Sequence, residues 1–291
     1  MINPTSLEKF SQCYLASFNF GIFMAGISND INYRKDLLLE NAYDAFKYFT
    51  QYAHERQGTN KNFHVYNRVA IQETLNNRIF DDTVLNDDLF PSEVWTKFRE
   101  LTKDWLSGEE KSNKSHTIGP VRDVLFDLKR EDEPNIIRLL GNKTINEANT
   151  FLRSLKGIGG KISALLLRDL QEYYNFWEMD ESNYYFLQPV DIWVNRLSHE
   201  CWTEYMPSNN HDHNAMEITN LCLKNDINPL RFNMGAWFIG SHYRDLCRFH
   251  KISENESINI NNSIEQFEFQ NVTNALHKYL INFVDGSSFP F

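Results

Sequence analysis

Apolar positions along this chain recur mostly at three- and four-residue steps, the spacing that gives a helix one buried stripe. The clearest case is the stretch 144–174, TINEANTFLRSLKGIGGKISALLLRDLQEYY. Thr144 followed by Glu147 predicts a capping-box start, in which hydroxyl and carboxylate each satisfy a backbone N–H that the first turn leaves orphaned. Ile145, Ala148, Phe151, Leu152 and Leu155 then share one helical face. Gly157, Gly159 and Gly160 stop that helix, because glycine adopts backbone angles barred to other residues. A second helix begins near Lys161 and repeats the stripe with Ile162, Leu165, Leu166 and Leu170. Two helices joined by Lys-Gly-Ile-Gly-Gly make a tight hairpin with Ile158 pointing back between them.

The same periodicity predicts helices elsewhere. Residues 7–27 read as one or two buried helices, followed by a polar turn over 28–35 and a helix from about Asp36 to Ala53 with Leu38, Ala42, Ala45, Phe46 and Phe49 on one side. A surface loop at 57–62 leads to an amphipathic helix ending near Phe80, and residues 92–106 are helical again. The linker Ser107–Ser115 is rich in Gly, Glu, Lys and Ser. Short helices at Val121–Lys129 and Pro134–Leu140 precede the hairpin, and a polar, aromatic connection over 175–188 follows it. Asp191 is placed to cap a helix carrying Ile192, Val194, Leu197 and Cys201. Beyond a loop at 207–214 come helices at 215–225 and 229–249, a loop at 252–264 and a last helix.

The 291 residues suffice for one large or two modest domains with a substantial core, and 14% aromatic residues mark a globular chain. No apolar run approaches bilayer length, and the N-terminus lacks a basic region followed by a hydrophobic stretch, so a soluble, cytoplasmic protein without a membrane partner is expected. Cys13, Cys201, Cys222 and Cys247 are scattered without CxxC pairs, which argues against a zinc ribbon or a disulfide framework. Asp81, Asp82, Asp87 and Asp88 read as a solvated acidic loop, since the ligand spacing of a calcium loop is missing. His211 and His213, in an Asn-rich loop, read as solvated rather than metal-binding.

The hairpin changes this picture. Glycines at the opening of a helix let backbone N–H groups approach an anion, and the helix dipole favours one there. Between Arg153 and Leu170 the charged residues are Arg153, Lys156, Lys161 and Arg168 against Asp169 alone, although the whole chain carries −10. A local basic surface of this kind can hold a phosphate backbone despite distant carboxylates, because salt screens long-range repulsion.

This segment, Leu155-Lys156-Gly157-Ile158-Gly159-Gly160-Lys161-Ile162-Ser163, resembles the helix-hairpin-helix loop of the HhH-GPD DNA glycosylase superfamily, with lysine where proline is usual. Downstream, Gln188-Pro189-Val190-Asp191-Ile192-Trp193-Val194-Asn195-Arg196 is similar to that family's Pro-Val-Asp motif, with Trp193 at a position where histidine is usual. The two motifs occur in the family's order. The resemblance covers the hairpin-to-aspartate region, and the flanks only by helical character.

The resemblance implies an all-α, two-lobed protein, with a central helical barrel over roughly 20–170 ending in the hairpin and a second lobe formed by 1–19 with 171–291. It implies a monomer acting on double-stranded DNA that contains a damaged or modified base. In this scheme Lys161 attacks C1′ of an extruded nucleotide, Asp191 assists, and a Schiff base leads to strand cleavage by β-elimination. A nucleophilic amine must be uncharged, a state that partial burial beside a helix N-terminus favours. Asp191 reads equally as an N-cap, and the two roles are compatible. DNA contacts fall to Arg153, Lys156, Gly157, Ile158, Gly159 and Gly160, with Asn29, Asn32 or Tyr33 plugging the gap left by the extruded base. Leu165, Trp193, Trp237 and Phe238 are candidates for the base pocket. No cofactor is required. The resemblance implies K+ or Na+ at the carbonyls of Leu155 and Ile158, and no iron–sulfur cluster, because one tail cysteine cannot hold one. Two alternatives remain: a non-catalytic helix-hairpin-helix DNA-binding protein, and a monofunctional glycosylase that uses Asp191 with water.

Overall fold

The computed structural model describes residues 3–15, 35–53, 63–75, 84, 86–102 and 114–249, and among them all regular structure is helical. The helices are α1 (Pro4–Lys9), α2 (Lys35–Glu40), α3 (Ala42–Ala53), α4 (Phe63–Leu75), α5 (Phe90–Thr102), α6 (Lys114–Glu131), α7 (Ile136–Gly141), α8 (Ile145–Ser154), α9 (Gly160–Tyr174), α10 (Ile192–Cys201), α11 (His211–Lys224) and α12 (Pro229–Phe249), with a 3-10 helix at Glu181–Leu187. The chain divides into two compact units, residues 1–24 with 180–291, and residues 25–179. Asn29, Asn32 and Tyr33, the loop at 57–62, Asp81 and Asp82, most of the linker at 107–115 and the segment beyond 252 lie outside the described residues. Among the described residues no helix is long and apolar enough to cross a membrane.

In the unit 25–179, α3 packs against α4, α7 and α9, while α5 bridges α4 and α6. The expected single helix from Asp36 to Ala53 is broken at Asn41, whose side chain accepts the Asp44 N–H at 3.1 Å and starts α3 afresh. Asn135, 1% exposed, does two jobs: its Oδ1 caps α7 through the Ile137 and Arg138 N–H groups, and its amide donates to the carbonyls of Leu38 and Leu39. Half of the expected acidic loop is structural. Asp87 accepts the Leu89 N–H ahead of α5, and Asp88 pairs with Lys129 of α6.

The hairpin is formed by α8 and α9. Thr144 and Glu147 make the expected capping box, the Glu147 carboxylate accepting the Thr144 N–H at 2.9 Å and the Thr144 hydroxyl at 2.8 Å. Those two bonds hold the carboxyl below its usual range. Leu155 and Ile158 are buried at 2% and 4% exposure, so the bend is plugged from inside by its own apolar residues. Across the helices the Ser163 hydroxyl donates to Asn149 Oδ1 at 2.7 Å, a buried bond joining the two arms. Gly157, at φ 85°, takes the left-handed conformation that the turn needs.

Residues 171–179 belong to this unit rather than to the second lobe expected to begin at 171. Asn175 ends α9 in the left-handed conformation, Phe176 lies against Gly141, and the Trp177 indole donates to the Lys143 carbonyl at 2.9 Å. These anchors fold the end of α9 back over the α7–α8 junction. Deeper in the unit, Arg168 is wholly buried, its Nε donating to Asp169 Oδ1 at 2.9 Å, and the Tyr52 hydroxyl of α3 donates to Asp169 Oδ2 at 3.0 Å.

In the unit 1–24 with 180–291, α12 is the central element and touches α1, α10, α11 and the 3-10 helix. Its glycines are points of close approach. A Cβ at Gly235 would meet the Leu7 carbonyl of α1, and one at Gly240 would meet the Trp193 Cβ at 2.4 Å. Phe10 and Phe238 stack with ring centroids 6.3 Å apart. The polar, aromatic connection expected over 175–188 contains the 3-10 helix, and the loop expected at 207–214 gives way at His211 to α11, because Asn210 caps it through the Asp212 and His213 N–H groups.

Ser163→Ala is expected to destabilise the protein by about 1–3 kcal/mol, because it leaves a buried amide oxygen of Asn149 without its donor. Urea denaturation measures this, with Ser154→Ala on the exposed end of α8 as a control expected to stay within about 0.5 kcal/mol.

Candidate functional site

The residues singled out by the two motifs belong to different units, and each unit builds its own part. The hairpin part is governed by how α9 begins. Its N-cap is Gly159, which has no side chain to offer, so the first turn of α9 receives no side-chain cap. By contrast Asn3, Asn135, Thr144, Asp191 and Asn210 cap α1, α7, α8, α10 and α11 with side chains. Gly159 is exposed in extended geometry at φ −96°, and among the described residues nothing lies within 4 Å of where a Cβ would project. The bend is therefore bare on the side to which a Gly159 Cβ would project, while Leu155 and Ile158 fill its inner side. Lys161 is the second residue of α9 and half-buried, and Arg153 and Lys156 are exposed on the approach to the bend.

The remaining hairpin positions are divided between surface and core. Ile158 faces inward, and its N–H donates to the Leu155 carbonyl at 3.1 Å, so that carbonyl, one of two expected to hold a monovalent cation, already accepts a bond across the bend. Arg168 supplies no surface charge, because its guanidinium is sealed in the core against Asp169, and the basic face of the hairpin is Arg153, Lys156 and Lys161. Leu165, at 1% exposure, lies in the core of the unit.

The aspartate part is built by α10. Asp191 caps that helix as expected, its Oδ1 accepting both the Trp193 and the Val194 N–H at 2.9 Å. Both cap bonds fall on one oxygen. Oδ2 takes no part in the cap, and the carboxylate lies at the positive end of the helix dipole. Asp191 is half-buried and its neighbour Ile192 is 68% exposed, so the carboxylate sits at the rim of the unit.

The three residues leading into Asp191 are buried and irregular, and their polar groups are clamped individually. Gln188 donates from its amide to the Pro229 carbonyl at 3.0 Å, the Pro189 carbonyl accepts the Trp237 indole N–H at 2.9 Å, and the Val190 N–H donates to His211 Nε2 at 3.2 Å. Trp237, read from the sequence as a base-pocket candidate, thus anchors the segment ahead of Asp191. Phe238 is 2% exposed in the core against Phe10, while Trp193 is half-buried between Gly240 and the Arg196 guanidinium, which lies 5.9 Å from its ring. The role of His211 was missed in the sequence. Its signal was Asn210, a capping residue directly ahead of it.

Cys13, Cys201 and Cys222 are free and buried in the core of this unit. Burial pushes the Cys201 thiol up to about 12 and the Cys222 thiol well above the ordinary thiol value, which makes both poor nucleophiles. Among the described residues no group of three His, Cys, Asp or Glu side chains is placed to hold a metal ion. Comparison with family models, with curated proteins and with solved structures finds no match to this chain.

Asp191→Asn should leave stability within about 0.5 kcal/mol, because asparagine caps a helix as well as aspartate does, whereas Asp191→Ala should cost about 1 kcal/mol. Chemical denaturation of the two variants separates the structural role of this residue from any chemical one.

Proposed function

We propose that this protein is a DNA glycosylase of the two-lobed helix-hairpin-helix type that removes a damaged or modified base and then cleaves the strand as an AP lyase. The observation that carries the reading is the start of α9: a glycine bend open on its outer face, a helix N-terminus without a side-chain cap, and Lys161 at the second helical position. Backbone N–H groups so arranged suit a DNA phosphate, and Arg153 and Lys156 add charge where a backbone would run.

In this reading the target base leaves the stack before chemistry begins, since its glycosidic bond is inaccessible inside a duplex. The uncharged Lys161 amine attacks C1′. The C1′–N bond breaks, its electrons leave with the base, and the departing base takes up a proton. The developing positive charge on the sugar is stabilised by the Asp191 carboxylate, through the oxygen that the helix cap does not use. Opening of the sugar ring gives a Schiff base between Nζ and C1′. Loss of a proton from C2′ then expels the 3′ phosphate and cuts the strand. K+ or Na+ at the hairpin carbonyls would reinforce the phosphate contact without taking part in bond cleavage.

Borohydride reduction in the presence of duplex oligonucleotides carrying a panel of altered bases is expected to trap a covalent protein–DNA adduct that Lys161→Ala abolishes. No adduct with any substrate, or an adduct that survives Lys161→Ala, overturns the lyase assignment. Base release without an adduct, lost in Asp191→Asn, would instead mark a monofunctional glycosylase, and binding without release a DNA clamp. Gly159→Ala fits the backbone without strain, so its unfolding midpoint should match the parent while its affinity for duplex DNA falls. Fluorescence anisotropy at fixed salt measures that loss.

A further inference from the structure

The backbone ahead of Asp191 presents an accounting problem. Gln188, Pro189 and Val190 are buried but belong to no helix, so each N–H and carbonyl needs an individually placed partner. For Pro189 the partners come from α12, where the Trp237 indole donates to its carbonyl at 2.9 Å and the Asn233 amide donates at 3.4 Å. Val190 is 7% exposed, and its N–H donates to His211 Nε2 at 3.2 Å, across to the first residue of α11. Both Trp237 and Asn233 hold this segment in any protonation state. Histidine does not.

We infer that His211 is a positioning residue for the Asp191 carboxylate, holding it through the Val190 amide only while the imidazole is neutral. This rests on the reading of Asp191 as the carboxylate that assists base release. An imidazole nitrogen accepts a hydrogen bond only when it carries no hydrogen, so Nε2 bonded to the Val190 N–H assigns the ring hydrogen to Nδ1. Nδ1 lies 3.2 Å from Asp212 Oδ1, the acceptor that fixes this tautomer. Protonation puts a hydrogen on Nε2 facing the Val190 N–H, and two donors then oppose each other in a part-buried place.

The charged and titratable groups near the ring come from two elements. Asp212 on the same helix presents its carboxylate to Nδ1, while the 3-10 helix contributes Tyr185, whose phenol is pushed up by its own burial and by the charge of Asp212. From α12 the segment meets the neutral Trp237 and Asn233. Asp191 is the residue after Val190, so loss of the amide anchor releases the chain immediately before the carboxylate. The helix cap alone then orients it, and the direction in which Oδ2 faces is no longer fixed from the N-terminal side.

The test uses the full chain and two variants. His211→Gln places an amide oxygen near the position of Nε2 and keeps an acceptor that does not titrate, and His211→Ala removes the acceptor. Residue-resolved amide exchange, corrected for the intrinsic pH dependence, reads the anchor directly. Between pH 8 and 5, Val190 protection should fall about tenfold in the parent as the imidazole charges, stay level in His211→Gln, and be low throughout in His211→Ala. Single-turnover base release should follow the same order, with the acid limb of the parent absent from His211→Gln and the DNA dissociation constant unchanged in both variants. Val190 exchange that is indifferent to pH in the parent overturns the inference, as does an acid limb that persists in His211→Gln. If the parent releases no base from any substrate, the glycosylase reading fails by itself, and the exchange measurements still decide whether His211 holds this segment.

Discussion

A bend made of glycines has little of its own to resist splaying, so the geometry of this hairpin depends on what lies between its arms. Leu155 and Ile158 are buried beneath the bend, and Ser163 donates to Asn149 across it. Burying two aliphatic side chains contributes about 1.5–3 kcal/mol each, against about 1 kcal/mol for the net hydrogen bond. The apolar contacts therefore dominate the energy, while the hydrogen bond, which has a direction, selects the register. Because the inner face is filled, the bend keeps its shape without a side chain at Gly157, Gly159 or Gly160.

The orientation of α9 is secured a second time, two turns past Lys161. Arg168 and Asp169 are both sealed from water, and Tyr52 of α3 donates to the far oxygen of the carboxylate. A charge left alone in such a place costs several kcal/mol, so the pair and its tyrosine stand or fall together. Burial, and after it the charge of Asp169, pushes the Tyr174 phenol up. The bond to Tyr52 resists rotation of α9 about its axis, because any turn would carry the Asp169 carboxylate away from the hydroxyl on α3. The face on which Lys161 stands at the start of the helix is thereby set near its middle.

In the other unit the constraint is backbone rather than charge. Asp191 ends a buried, irregular segment and begins a helix, and the same carboxylate oxygen serves two N–H groups of α10. A cap of this kind offers a carboxylate in a defined direction at little cost in side-chain freedom. Its precision depends on the three residues before it, which α11 and α12 hold by side chains drawn from three separate turns. Gly235 and Gly240 belong to the same arrangement: each weakens α12 locally, and each admits a neighbour, the α1 carbonyl or Trp193, that an alanine would exclude.

The sequence by itself determined where helices begin and end wherever the deciding interactions lie within four residues. The capping box at Thr144, the cap at Asp191, the stop at Gly157 and the start of α12 are all of this kind, and the all-helical class follows from such local signals repeated along the chain. Asn41 and Asn210 start helices inside stretches whose average pattern suggests a continuous helix and a loop. Tertiary structure alone decided which neighbour each apolar face met and which polar groups found each other. Arg168 counts as a surface cation in the sequence and is a core residue in the fold, since the tyrosine that completes its pair lies 117 positions from Asp169. His211 meets Val190 across 21 positions and Ser163 meets Asn149 across 14. Periodicity reports that a helix has an apolar side. Only packing assigns that side its neighbours, because the free energy of burial belongs to pairs of surfaces and not to either one.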